Sequence, residues 1–292
     1  MTSSGAARAA SRPTLFARLI KIEHSVYALP FAYAGAFLAA GGWPTAGQVI
    51  WITVAMVGAR SAAMALNRLI DAGIDARNPR TAGRELPAGR LGRREVAVFT
   101  LVSVALLVIA AFNLSEPCRY LWPIPLAAFV VYPYTKRFTW FCHYFLGLTL
   151  GLAPAAAWVA VTGSVTLEAW LLFFAVGVWV GGFDVLYAVF DLEFDRKQGL
   201  HSLPVAIGER GSLVVAALSH VATVALLAAV GYLAGLEWVY WAGLAACAGL
   251  LCWPHVDIAR RGLREVGMGF MSVNGAVGLL YGGVVVLATV LG

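Results

Sequence analysis

The stretch NRLIDAGIDARNPRTAGRELP, Asn67 to Pro87, follows directly on about twenty mostly apolar residues. It sets Asn67, Asp71 and Asp75 four residues apart and then runs into Arg77, Arg80 and Arg84. Residues four apart on a helix advance by about 400°, so the three polar groups share one face and drift by only about 40° per step. Arg60, seven residues before Asn67, extends that face back into the apolar segment. Carboxylates at the C-terminal end of a helix meet a macrodipole that is already negative, which is unfavourable by a few tenths to about 1 kcal/mol each. The face therefore calls for cations.

The rest of the chain fixes the setting. Of 292 residues, 61% are hydrophobic and 12% charged, which excludes an ordinary water-facing surface. Apolar segments recur at approximately 24–41, 48–68, 96–113, 120–135, 140–161, 168–190, 212–234, 238–254 and 271–291. A bilayer core of about 30 Å takes roughly 20 helical residues to cross. The expected fold is all-α, a polytopic membrane protein with nine transmembrane helices. The fourth segment holds Pro123, Pro125 and Pro133 and is expected to be kinked or partly broken.

Of 21 Lys and Arg, 18 lie in the N-terminal segment and in the alternate loops 69–95, 136–140, 191–211 and 255–270. By the positive-inside rule those loops face the cytoplasm and the C-terminus lies outside, in the inner (cytoplasmic) membrane of the cell. Topology thus accounts for the net charge of +6 without a nucleic-acid partner. Residues 1–20 carry basic residues but no cleavage site after a short apolar core, and read as a tail leading into an interfacial helix. Residues 21–292 show no composition shift and read as a single membrane domain. Cys118, Cys142, Cys247 and Cys252 form no CxxC pair, so neither a zinc site nor a disulfide framework is expected.

A second stretch repeats the chemistry of the first. In DVLYAVFDLEFDRKQGLHSLP, Asp184 to Pro204, the residues Tyr187, Asp191 and Asp195 reproduce the spacing of Asn67, Asp71 and Asp75. Asp184 precedes Asp191 by seven, as Arg60 precedes Asn67. Both sets lie where a span emerges on the same expected side. Magnesium prefers hard oxygen ligands, keeps several waters and is typically held by one or two carboxylates together with substrate phosphates. Two such faces opposed across a bundle would hold two Mg²⁺ ions with a diphosphate between them, and Arg77, Arg80, Arg84, Arg196 and Lys197 would supply donors to the polyanion. Lys136 and Arg137 in VYPYTKRFT read equally as further donors or as a topogenic anchor. His143, inside the fifth segment, reads as a hydrogen-bonded bundle residue.

Taken in order, NxxxDxxxD with RTAGRELPAGR, then YPYTKRFT, then DxxYAxxDxxxD with GLHSLP resemble the UbiA family of intramembrane aromatic prenyltransferases. The resemblance runs from RLIKIEHSVYALPF to the ninth segment. It implies nine helices around a central cavity that opens to the cytoplasm, Mg²⁺ as cofactor, and a polyprenyl diphosphate and a small aromatic acid as substrates. By motif position, the resemblance puts the metal and diphosphate ligands on Asn67, Asp71, Asp75, Asp191 and Asp195. It puts diphosphate-binding cations on Arg80, Arg84 and Lys136, with Lys197 a looser match. Tyr132 and Tyr187 match tyrosines near the allylic carbon, Arg60 matches a residue that orients the acceptor's carboxylate, and Asp184 joins the substrate-binding set.

Many hydroxybenzoate enzymes of the family read NDxxDxxxD, whereas the second position here is Arg68. That leaves the metal reading intact and opens the acceptor. The resemblance implies transfer to 4-hydroxybenzoate in ubiquinone-type biosynthesis, with a dihydroxynaphthoate of menaquinone biosynthesis as the alternative. Asp71 and Asp191 are candidates by position for taking the ring proton. A membrane transporter is the competing reading from another class, because intramembrane ionisable groups often mark transport pathways; a non-catalytic assembly factor would leave the duplicated spacing without a cause.

Overall fold

In lipid, a backbone satisfies its polar groups only within helices or closed barrels, and this sequence forms helices. The protein is described by a computed structural model over residues 11–291, in which the side chains of 22–28, 268, 270 and 271 lie outside the description. The elements are α1 (Arg12–Leu19), α2 (Ile22–Ala40), α3 (Ala46–Asp75), α4 (Arg93–Phe112), α5 (Cys118–Leu121), α6 (Pro123–Thr135), α7 (Cys142–Thr162), α8 (Leu167–Val189), α9 (Leu192–Gln198), α10 (Leu203–Leu233), α11 (Trp238–Arg261), α12 (Leu263–Val266) and α13 (Phe270–Leu291). Among the described residues there is no strand.

Seven of these are individually long and apolar enough to cross a membrane: α3, α4, α7, α8, α10, α11 and the Ser272–Leu291 part of α13. The nine expected crossings are reached with α2, whose apolar part is Leu29–Ala40, and with α6. Proline explains the shortness of α6. Pro123 begins it, Trp122 separates it from α5, and its 13 residues span only about 20 Å. Leu101, Val214, Leu218 and Val221 are more than half exposed, as lipid-facing side chains should be.

Helix neighbours form a closed ring. α3 packs on α4 and α6, α6 on α7, α7 on α8, α8 on α10, α10 on α11, α11 on α13, and α13 on α2, which returns to α3 and α7. Lipid supplies no hydrophobic drive between helices, so close backbone approach must do the work. At the α7–α8 contact an added Cβ on Gly147 would stand 1.9 Å from the Gly177 carbonyl oxygen, and one on Gly151 2.2 Å from that of Phe173. Trp179 and Phe183 of α8, Tyr240 of α11 and Tyr281 of α13 are fully buried.

Two helices depart from the expected spans. α3 has 30 residues, about 45 Å, and so carries Asn67, Asp71 and Asp75 as one uninterrupted helix beyond a core of about 30 Å. A capping box fixes its start, with Gln48 N donating to Thr45 Oγ1 at 3.3 Å and Thr45 N to Gln48 Oε1 at 2.9 Å. α8, by contrast, stops at Val189, so the second motif does not keep one continuous helical face as its spacing implies. Asp184 and Tyr187 lie on α8, Asp191 at the corner and Asp195 on α9.

At the same end, α1 packs Leu15 and Leu19 against Leu86 and Leu91 of the 76–92 loop and Ala65 and Val96 of the helices beneath. Phe16 stacks on Phe99 with centroids 4.9 Å apart. The chain before α1, residues 1–10 of the 1–20 segment, lies outside the described residues.

The α7–α8 seam makes a testable demand. Gly147→Ala should lower the apparent Tm in detergent by on the order of 5 °C, the overpacking cost spread over a chain of this size. Gly249→Ala, whose added Cβ meets nothing within 4 Å, should leave it unchanged.

Candidate active site

The helix ring encloses a cavity of about 1220 Å³ with two unlike ends. One end is lined by apolar side chains such as Met56, Leu107, Phe129, Leu150, Trp170 and Phe173. At the other stand five carboxylates, Asp71, Asp75, Asp184, Asp191 and Asp195, and six cations, Lys21, Arg60, Arg68, Arg80, Arg84 and Lys136. Asn67, Tyr132 and Tyr187 line the same cavity. Of the candidate residues read from the sequence, Arg77, Arg137, Arg196 and Lys197 are not part of this wall; all four are exposed, Arg196 and Lys197 on α9.

Local folding brings the cations to the acids. Asn78 and Pro79 end α3, and Asn78 Oδ1 accepts the backbone N–H of Arg80 at 2.9 Å, turning the chain back. Thr81 Oγ1 donates to the Asp75 carbonyl at 2.9 Å and clamps the turn to the end of α3. Arg84 Nη1 then reaches both oxygens of Asp75, at 2.8 and 2.7 Å, and Arg80 spans to the other motif, where its Nε lies 3.0 Å from Asp191 Oδ1. From the end of α6, Lys136 Nζ donates to Asp71 Oδ2 at 2.6 Å. A backbone bond from His201 N to the Lys136 carbonyl, 2.7 Å, ties that corner to the loop before α10. The two motifs, more than a hundred residues apart in sequence, thus share one chamber joined by the Arg80–Asp191 pair.

The electrostatics are those of a site made for an anion and a cation together. Lys21, half-buried, has its pKa held below the ordinary lysine value by burial first and then by Arg68, Arg84, Arg80 and Arg60. Asp195 is pushed up by burial, with Asp191 adding repulsion and a Ser202 hydrogen bond opposing. Asp71 Oδ1 is buried and accepts no hydrogen bond among the described residues, although Arg137 Nη2 stands 3.7 Å away. Arg68, 5% exposed, turns inward, with Nη1 3.3 Å from Asn67 Oδ1 and 4.0 Å from Asp75 Oδ2.

Magnesium fits this donor set. Among the described residues no three acidic, histidine or cysteine side chains converge on one point, so a cage made of protein alone is absent. What is present is hard oxygen on both walls, an open acceptor on Asp71, and a wall whose six cations exceed its five carboxylates by one. A diphosphate of about −3 charge added to that wall would leave a deficit of about −2, which one divalent ion would cancel, as in carboxylate-plus-phosphate magnesium sites.

One residue escaped the sequence reading, and a second, His143, is hydrogen-bonded in the bundle as read but to a partner the sequence did not name. Lys21 lines the polar end from the junction of α1 and α2, where it is the only non-glycine residue with positive φ among those described, at 50°. Its signal was a lone lysine just ahead of the first span. His143, read as a bundle residue, pairs with Asp184 Oδ2 at 2.7 Å; nothing in its sequence neighbourhood names that partner.

An all-helical, multi-pass membrane protein with opposed carboxylate motifs at one end of an apolar chamber is the class this fold and site define. The chain belongs to the UbiA prenyltransferase family, whose description matches residues 28–276. It is 34% identical over 235 residues, 79% of this chain and 81% of the relative, to 4-hydroxybenzoate octaprenyltransferase of Klebsiella pneumoniae subsp. pneumoniae. Among solved structures it resembles the apo form of a UbiA homolog from Aeropyrum pernix, with a TM-score of 0.83 and 33% identity over 91% of this chain and 98% of the other. A UbiA homolog from Archaeoglobus fulgidus bound to GPP and Mg²⁺ shares the fold, with a TM-score of 0.69 and 20% identity over 93% and 99% of the two chains.

The pairings differ in what they carry. Arg84 and Asp75 are, respectively, 23% and 8% exposed at the side chain, whereas Arg80 is 48% exposed. Arg84→Gln strands a buried carboxylate and should lower the apparent Tm by several degrees. Arg80→Gln opens a solvent-screened pair and should shift it by about one degree or less.

Proposed function

We propose that this protein transfers a polyprenyl group from a polyprenyl diphosphate to the ring of 4-hydroxybenzoate, in ubiquinone-type quinone biosynthesis. The observation that carries this reading is the convergence of both aspartate motifs, with Lys136, Arg80 and Arg84, on the polar end of a cavity that is otherwise apolar. The names of the curated relatives support the acceptor. The polar end faces the cytoplasm of a cell whose inner membrane holds the chain, a reading that the distribution of Lys and Arg supports.

In this reading Asn67, Asp71 and Asp75 from α3 and Asp191 and Asp195 from the α8–α9 corner hold Mg²⁺ with the diphosphate. Bound there, the metal offsets charge that builds on the departing diphosphate. Arg80, Arg84 and Lys136 take the phosphate oxygens and release their present carboxylate partners to the metal; Lys197, exposed on α9, contributes at most from outside the wall. The apolar end receives the isoprenoid, which at about 0.8 kcal/mol per buried methylene does not leave lipid for water. Tyr132 and Tyr187 turn π-faces to the allylic cation, and the dry wall protects it from hydrolysis.

The acceptor sits one level deeper. Arg60 and Asp184 each lie seven residues, about 10 Å, inward of their motifs. Both line the cavity, and no ion pair joins them among the described residues. Arg60 Nε is buried without a hydrogen-bond partner there, a group suited to the carboxylate of an aromatic acid. Asp71 and Asp191, the sequence candidates for taking the ring proton, are instead engaged by Lys136 and Arg80. Inward-facing Arg68 favours a second reading, in which a dihydroxynaphthoate of menaquinone biosynthesis is the acceptor. A transporter site would sit near the bilayer midplane on broken helices, whereas these charges gather at one end.

Asp71→Ala and Asp191→Ala should each reduce prenyl transfer by more than about 100-fold with helical content unchanged, and chelation of Mg²⁺ should abolish transfer until Mg²⁺ is restored. Near-normal turnover by either variant would rule out the metal assignment. Arg60→Ala should raise KM for the aromatic acid about tenfold while leaving that for the diphosphate in place, read by mass spectrometry of the lipid product. Offering hydroxybenzoate and dihydroxynaphthoate in the same assay decides the acceptor.

A further inference from the structure

His143 takes no part in the chemistry above, yet it joins three helices. It lies at the start of α7, 5% exposed. Its Nε2 accepts the backbone N–H of Leu203, the first residue of α10, at 3.2 Å. A backbone amide can only donate, so Nε2 carries no proton and the ring is the neutral tautomer protonated on Nδ1. That proton points at Asp184 Oδ2, 2.7 Å away. The contact therefore runs one way, with imidazole donating and carboxylate accepting. Asp184 takes no other hydrogen bond among the described residues, and its side chain stays 31% exposed on the cavity wall. One oxygen is pinned by His143 and the other is left for a ligand.

We propose that His143 is a positioning residue that fixes Asp184 as the acceptor for the hydroxyl of a phenolic ring, and so sets the selection of hydroxylated aromatic acids. The inference rests on the prenyl-transfer reading and deepens it. Arg60 holds the acid's carboxylate and Asp184 its hydroxyl, so the ring is gripped at both ends. As the ring carbon bonds to the allylic carbon and the C–O bond to diphosphate breaks, the hydroxyl proton passes to Asp184 and leaves a neutral dienone. The departed diphosphate then takes the proton from the alkylated ring carbon, Asp184 returns its proton to oxygen, and the phenol is restored. One diphosphate and one proton leave for each bond made.

Two amides separate this role from a structural tie. Asn at 143 puts an amide nitrogen where Nδ1 stands and gives up Leu203; Gln reaches Leu203 and gives up Asp184. The full-length protein in detergent is assayed with Mg²⁺, one polyprenyl diphosphate and 4-hydroxybenzoate. His143→Gln and His143→Leu should lower kcat/KM for the acid by about 10- to 100-fold, the span for a hydrogen bond to a charged group, with KM for the diphosphate unchanged. His143→Asn should stay within about threefold of wild type. Equal losses in the Asn and Gln variants, a Gln variant better than Asn, or losses shared by both substrates would overturn the proposal; the Asn and Gln pair decides it even where Leu does not fold. If the wild type prefers dihydroxynaphthoate, the same series is read on that ring. A wild type that prenylates neither acid sinks the transfer reading itself and the role of His143 with it, whereas active wild type with unaffected variants sinks the role alone.

Discussion

Everything at the polar end of this molecule follows from placing carboxylates where helices leave the membrane. α3 brings Asp71 and Asp75 to its C-terminal end, against the sign of the macrodipole and out of water, while Asp191 stands at the N-terminus of α9 and Asp195 in its first turn, partly buried beside them. Uncompensated, such charges would neutralise or unfold the ends. Compensation comes from outside the helices that bear them. Arg84 and Arg80 return from the 76–92 loop and Lys136 from the end of α6, so each aspartate pair is also a fastening between elements. The loop conformation, the Asn78 turn and the packing of α1 over Leu86 and Leu91 are consequences of delivering those cations. In the proposed reading, a polyanion bringing its own metal ions would replace these pairs without leaving any charge bare.

The two motifs reach that chamber by different routes. α3 stays helical through Asp75, so its donors are held as rigidly as the helix itself. α8 ends before Asp191, and α9 turns Asp195 back toward the cavity. Breaking the second helix lets four residues that would drift around a cylinder line the same chamber instead. The corner is held by Asp195 N donating to the Asp191 carbonyl at 2.8 Å and by the Lys136–His201 bond from the facing loop. One wall is thus a single helix and the other a corner between two.

Much of this was legible in the chain. Composition and the alternation of basic loops gave the class and the approximate spans, because lipid leaves few alternatives for an apolar backbone. Spacing gave the acidic faces, and the order of motifs gave the family. Three things were not legible, each for a local reason. The corner at Asp191 has no proline or glycine to announce it, since Phe190 and Leu192 are as compatible with helix as with a break. The kink in α10 rests on Gly208, φ 74° and ψ 175°, one of many glycines with nothing in sequence to single it out. The partner of His143 depends on the α7–α8 seam, where Gly147 and Gly151 let two backbones approach, and such proximity is a property of the packed bundle.

Arg68 shows how a single departure is absorbed by this architecture. A carboxylate at that position would add a sixth negative charge to the wall; the guanidinium adds a positive one beside Asn67 and Asp75. With Arg84 already on both oxygens of Asp75, the outer part of the first motif is held chiefly by arginine, and the open acceptor of the motif is Asp71 Oδ1. The site therefore leans on fixed cations near Asp75 and keeps its unpartnered oxygen one turn further in, toward the level of Arg60 and Asp184. Arg68 lies between those two levels on the cavity wall, so in the proposed reading its charge would act on the diphosphate on one side and on the acidic ring on the other.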